Sequence, residues 1–166
     1  MILRKYDYSA LQCDILFSEK DQVGLMIVMF EKYSDKAKKS IIYSYETAVH
    51  YKSDTITTGY LLLGILRFRQ ERPAKALASI GVSIESIIRH VENKRQNSKG
   101  TKFNDMPFSK KATAVLKAID KLNYKQVDLE HILLELLSMK TCTASKIMKV
   151  HGITEAKLKS KLYGET

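Results

Sequence analysis

Gly59-Tyr60-Leu61-Leu62-Leu63-Gly64-Ile65-Leu66 returns 71 positions later as Glu130-His131-Ile132-Leu133-Leu134-Glu135-Leu136-Leu137. Downstream, Pro73-Ala74-Lys75-Ala76-Leu77 and Ile80-Gly81-Val82 return as Ala144-Ser145-Lys146-Ile147-Met148 and His151-Gly152-Ile153 at the same offset. Upstream, Tyr33-Ser34-Asp35-Lys36-Ala37 returns as Phe108-Ser109-Lys110-Lys111-Ala112, at an offset of 75. The step of four between the offsets is about one helical turn. A four-residue deletion in the first helix of the second copy therefore keeps its apolar face in register. The chain is two copies of one helical unit.

Each copy reads as four helices. The first opens on a hydroxyl cap, Ser34 or Ser109, whose oxygen can accept from the unpaired amides of the first turn. In copy one its buried face runs through Ala37, Ile41, Ser44, Tyr45 and Ala48, spaced by three and four. The second helix is the Leu-rich stretch, capped by Thr57 or Thr58 in copy one and by Asp128 in copy two. It is apolar around most of its girth and belongs at the centre of its repeat. The third starts near Pro73, which a first turn tolerates, and ends at Gly81, with Gly152 as the counterpart. The fourth runs from Ser83 to about Val91, and from Thr154 to about Leu162, with capping oxygens and first-turn acids at each start.

Composition fits an all-α fold. Among 166 residues, 45% are hydrophobic and 28% charged, and only two prolines interrupt possible helices. The longest apolar run, Tyr60 to Leu66, is far too short to span a bilayer, and Arg67 and Arg69 follow it. Asp7 and Asp14 break any signal-peptide core after Arg4 and Lys5. Cys13 and Cys142 alone cannot supply a zinc site, and two cysteines without an export signal suit a reduced, cytoplasmic protein. The net charge is +10; residues 1–29 hold three basic and four acidic side chains, so the rest carries +11. The densest basic run is Arg89, Lys94, Arg95, Lys99 and Lys102, opposed by Glu92. Such charge favours acidic partners and could steer nucleic acid, although a solvated loop between repeats is the simpler explanation.

Catalysis finds no assembled constellation. His50, His90, His131 and His151 are scattered over different helices, without a Ser or Cys nucleophile and an orienting acid in a recognisable pattern. No spacing supplies three or four metal ligands. Gly59 and Gly64 have the glycine spacing of a phosphate loop, but Ile65 and Leu66 stand where Lys and Ser/Thr are needed. The chain is expected to be no enzyme and to carry no cofactor.

Two copies opening with an aromatic, a hydroxyl residue and then x-Lys-Ala resemble the Clp N-terminal domain that heads ClpC-type and related unfoldases. Copy two keeps Glu130-His131-Ile132-Leu133-Leu134 of that family's Thr-Glu-His-Ile-Leu-Leu-Gly helix, and copy one keeps Thr58 and Leu61-Leu62-Leu63-Gly64. The resemblance implies two tandem four-helix Clp repeats in a pseudo-twofold domain, without the ATPase modules and as a stand-alone protein. It divides the chain into an N-terminal extension at 1–28 and a Clp N-domain at 29–163. Repeat one covers about 29–92, a polar linker about 93–105, and repeat two about 106–163.

The same resemblance implies protein recognition: substrates or adaptor proteins of a Clp ATPase, or Clp subunits themselves. In the ClpC branch the domain also binds phosphoarginine, with the motif acid on the guanidinium and the helix-opening hydroxyl on the phosphate. Residue by residue, copy two keeps both as Glu130 and Ser109. Copy one is a degenerate site, with Ser34 and nearby Lys32 but Gly59 in place of the acid. A Glu in a first helical turn is favourable even without a ligand, because it offsets the helix dipole. Two other functions fit the residues: a basic nucleic-acid-binding helical protein, lacking a recognisable reading helix, and a structural module for self-association.

Overall fold

Ser34, Thr57, Ser83, Ser109 and Thr154 each turn a side-chain oxygen back onto an amide of the helix that follows, which fixes where five helices begin. The computed structural model describes residues 30–94 and 106–164. Eight helices lie among them: α1 Asp35–His50, α2 Thr58–Leu66, α3 Arg72–Ser79, α4 Ile84–Asn93, α5 Lys110–Lys121, α6 Leu129–Ser138, α7 Thr143–Val150 and α8 Glu155–Tyr163. The fold is all-helical, in two four-helix repeats. Contacts divide the chain into residues 1–31 and Lys32–Thr166, and all eight helices belong to the second unit. The N-terminal extension, and the linker beyond Lys94, fall outside the described residues.

The repeat offsets have their expected origin. α1 has 16 residues and α5 has 12, so copy two lacks one turn of its first helix. Gly81 and Gly152 have φ of +88° and +76°, the left-handed conformation that stops α3 and α7 at little steric cost. All nine residues of α2 are buried. Leu61, Leu62, Ile65 and Leu66 join Ile132, Leu133 and Leu136 of α6 in one core, and α2 packs on α1, α6 and α7. The expected face of α1 (Ala37, Ile41, Ser44, Tyr45, Ala48) is buried. Gly64 is a packing residue rather than part of a phosphate loop: a Cβ there would press into the Ser40 carbonyl of α1.

Short backbone pairings tie one repeat to the other, and they cross. The Ser34 amide donates to the Val127 carbonyl at 2.9 Å, and the Val127 amide to the Lys32 carbonyl at 2.7 Å. Their counterparts follow the pseudo-twofold: Ser109 N–H to Ile56 O at 3.0 Å, and Ile56 N–H to Pro107 O at 2.9 Å. The α1 start therefore lies beside the α6 start, and the α5 start beside the α2 start. A further tie runs from the Ala144 amide of α7 to the Thr58 hydroxyl at 3.3 Å.

His90 on α4 and His151, just after α7, meet across the seam between repeats, with ring nitrogens 3.4 Å apart. Burial, and then the neighbouring His90, hold the His151 imidazole below its ordinary value. The unfolded chain then binds the proton more readily than the folded one. This contribution to stability is complete above the ordinary histidine value of about 6.5 and declines as pH falls through it. Urea unfolding at about pH 7 and about pH 5.5 should show that decline, and His151→Asn should make it shallower. A pH difference identical in the variant rules out the pair as a source.

Candidate functional site

The crossed pairing creates two related sites, each at the meeting of three helix N-termini. In the first, the starts of α1 and α6 are bonded side by side, and α3 arrives with Arg72 as its first residue. Glu130, the second residue of α6, is 9% exposed. Arg72 Nη1 donates to its Oε1 at 3.2 Å, while Arg72 Nη2 donates to the Leu162 carbonyl at 2.6 Å. The guanidinium also lies over the Tyr163 ring, 5.8 Å from its centroid. At the edge of this site, Lys36 Nζ meets Glu71 at 2.6 Å. His131 caps the helix: its Nδ1 accepts from the Asp128 amide at 2.9 Å.

The second site repeats the first with different side chains. A cavity of about 410 Å³ opens between the starts of α2 and α5. Thr57, Thr58 and Gly59 line it at the start of α2 and Ser109, Lys110 and Lys111 at the start of α5, and the rest of the wall includes Thr143, Lys94, Val91 and the carboxylate of Asp54. Gly59 stands where the first site has Glu130, and Thr143 where it has Arg72. A Cβ on Gly59 would lie 3.1 Å from Val91 Cγ1, so the wall of α4 closes in where a carboxylate side chain would need to leave.

This geometry corrects the expected grouping of residues. Ser109 and Glu130 were expected together as the pair retained by copy two, but they belong to different sites. Ser109 shares its cavity with Gly59 of copy one, and Glu130 sits with Ser34 and Lys32, whose backbone atoms bond to Val127 three residues before it. The reason is the crossing: each site takes its first helix from one repeat and its second from the other. Arg72 was missed altogether. It reads locally as an ordinary first-turn residue beside Pro73, and nothing in the spacing links it to a carboxylate 58 residues away.

Comparison with known proteins places this architecture. A family model, the Clp repeat (R) N-terminal domain, matches residues 32–125. The chain belongs to that family. Among relatives of this Clp N-domain, an ATP-dependent Clp protease ATP-binding subunit ClpA homolog of Cyanidium caldarium is 31% identical over 145 residues, covering 83% of this chain and 17% of that protein. The negative regulator of genetic competence ClpC/MecB of Bacillus subtilis is 28% identical over 130 residues, 76% of this chain and 16% of that one. The chain thus spans less than a fifth of the length of these relatives. In fold, it is similar to the Hsp104 N-terminal domain of Candida albicans (TM-score 0.67, 18% identity, 81% of this chain and 93% of the other). The N-terminal domain of ClpD from Arabidopsis thaliana is also similar, with TM-score 0.61 and 23% identity over 80% of this chain and 93% of that one.

Among the described residues, no helix is long and apolar enough to cross a membrane. Cys142 is buried and belongs to the start of α7, its sulfur accepting from the Ser145 amide at 3.4 Å. Arg89 is exposed on α4, and Lys94 turns into the cavity wall. Arg95, Lys99, Lys102 and Cys13 fall outside the described residues.

Proposed function

We propose that this Clp N-domain is a non-catalytic, cytoplasmic module that recognises substrates or adaptor proteins of a Clp-type ATP-dependent unfoldase. The finer part of the reading is recognition of phosphoarginine through Glu130. One observation carries it: the Glu130 carboxylate, in a sheltered position beside two other helix starts, already engages a guanidinium, that of Arg72, at 3.2 Å. A carboxylate so placed can hold a ligand guanidinium through the same N–H···O bonds, and first-turn amides beside it suit a phosphate. In this arrangement Ser34 and Lys32, rather than Ser109, are the nearer candidates for the phosphate. Arg72 then acts as an internal occupant that a ligand must displace.

Calorimetric titration of the chain with free phosphoarginine, with arginine and phosphate as controls, tests the reading. Saturable binding near one site per chain is expected, and Glu130→Ala should abolish it while leaving helicity unchanged. Equal affinity in wild type and variant would remove Glu130 from the site. Absence of heat in both would leave only whole-protein partners, to be sought by pull-down against Clp subunits.

A further inference from the structure

Arg72 is poorly placed for its own helix. It is the first residue of α3, where the amide end of the helix dipole disfavours a cation. Its guanidinium instead reaches two other helix ends. Nη1 donates to Glu130 Oε1 at the start of α6, and Nη2 to the Leu162 carbonyl in the last turn of α8, where the dipole favours a cation. α8 packs on both α3 and α6, which brings its end to this point. Tyr163, the final residue of α8, offers its half-exposed ring to the same guanidinium. Burial, and then the Glu130 carboxylate, push the Tyr163 hydroxyl above its ordinary value, so the phenol lies within electrostatic reach of that acid.

These residues form a matched set. At the repeat offset of 71, Thr143, Gly59 and Glu92 stand at the places of Arg72, Glu130 and Tyr163. Cation, acid and ring are present together in one site and replaced together in the other. Glu92 is engaged elsewhere, accepting from the Tyr51 hydroxyl. Two oxygens at the N–H edge and an aromatic face are what a planar, delocalised cation uses, whereas an ammonium is a compact point charge. The Arg72 side chain is largely exposed, and an ion pair so exposed is worth little, so an incoming guanidinium can displace it at small cost. We infer that the end of α8 is half of the receptor: Tyr163 is its specificity-determining residue, stacking on a ligand guanidinium whose N–H groups Glu130 and the Leu162 carbonyl accept, so that arginine-type side chains are chosen over lysine-type ones. This rests on the reading of Glu130 as a guanidinium ligand and extends the site to a helix that the sequence did not connect with it.

The ring serves Arg72 and a ligand alike, so its effect cancels while Arg72 is present, and Arg72→Ala is the background for the test. Amide NMR of the full chain follows Glu130 and Tyr163 during titration with methylguanidinium or methylammonium at constant ionic strength. Saturable shifts with methylguanidinium and weaker binding of methylammonium are expected. Adding Tyr163→Leu should weaken methylguanidinium binding about threefold, whereas Tyr163→Phe, which keeps the ring, should leave it unchanged. Should Arg72→Ala lose its helical circular dichroism, Arg72→Met, which keeps the apolar stem, replaces it as background. Equal affinities in Tyr163→Leu and Tyr163→Phe, equal affinities for the two cations, or shifts that never saturate overturn the inference. A parallel titration with phosphoarginine separates the two readings. Binding lost in Glu130→Ala but equal in Tyr163→Leu and Tyr163→Phe leaves Glu130 in the site and overturns only the role of Tyr163. Binding that survives Glu130→Ala removes both.

Discussion

Gly64→Ala is expected to destabilise the domain by roughly 3 kcal/mol, at the upper end for overpacking. In an exposed helix the same change gains up to about 1 kcal/mol from backbone entropy. Here the new methyl would press into the Ser40 carbonyl oxygen and sit 2.5 Å from Ser44 Oγ. Ser40 and Ser44 are buried at 1% and 0% exposure, and Ser44 Oγ donates to that same carbonyl at 2.7 Å. The obstacle is backbone, so no rotamer change relieves it; α1 and α2 must part. Gly59→Ala is the internal control. Its tightest contact is the end of the Val91 side chain at 3.1 Å, which can give way, with Thr57 Oγ1 and Thr143 Cγ2 at ordinary contact distance, and the expected change is within about 1 kcal/mol. Urea unfolding followed by circular dichroism compares the two. Equal midpoints for both variants would mean that the α1–α2 contact has slack the packing does not suggest.

Arg72→Ala should move binding and stability in opposite directions. With its guanidinium gone, Glu130 is free to take a ligand guanidinium, and phosphoarginine affinity should rise about tenfold, the worth of one charge-assisted hydrogen bond. The same change strands a carboxylate that is 9% exposed and leaves the Leu162 carbonyl without this donor. Arg72 itself is largely exposed, which tempers the loss to about 1–2 kcal/mol. Calorimetry and thermal unfolding on one preparation read both effects. Lower stability with unchanged phosphoarginine affinity would make Arg72 a structural bridge between repeats and not an internal occupant. Lower affinity would make it part of the receptor.

Much of the fold was legible because its signals are local. A capping oxygen at Ser34, Ser109 or Ser83 acts on an amide three residues on, and a left-handed glycine stops the helix immediately before it. Core periodicity in α1 likewise needs only the helical repeat. The four-residue difference between α1 and α5 could be read as one missing turn, because a register-preserving deletion must be near 3.6 residues or its multiples. Spacing alone does not distinguish Thr57 from Thr58 as the cap of the second helix. In the fold both threonines serve as caps, Thr57 for its own helix and Thr58 for α7 of the other repeat.

By itself, the sequence determined that the chain is helical, that it is duplicated, and that each copy carries a hydroxyl-capped first helix and a Leu-rich second helix. It also located Glu130 and the gap at Gly59. Only the tertiary structure decided which first-helix start lies beside which second-helix start. In a duplicated chain both partners exist twice, so pairing within a copy and pairing across copies leave the same pattern of residue types. The helix bodies pack mainly within each repeat, α1 on α2 and α5 on α6, while the backbone pairings at their starts run in the crossed sense: Ser34 with Val127, Ser109 with Ile56. Through that choice Arg72 reaches Glu130, and the cavity beside Ser109 has Gly59 where the other site has Glu130.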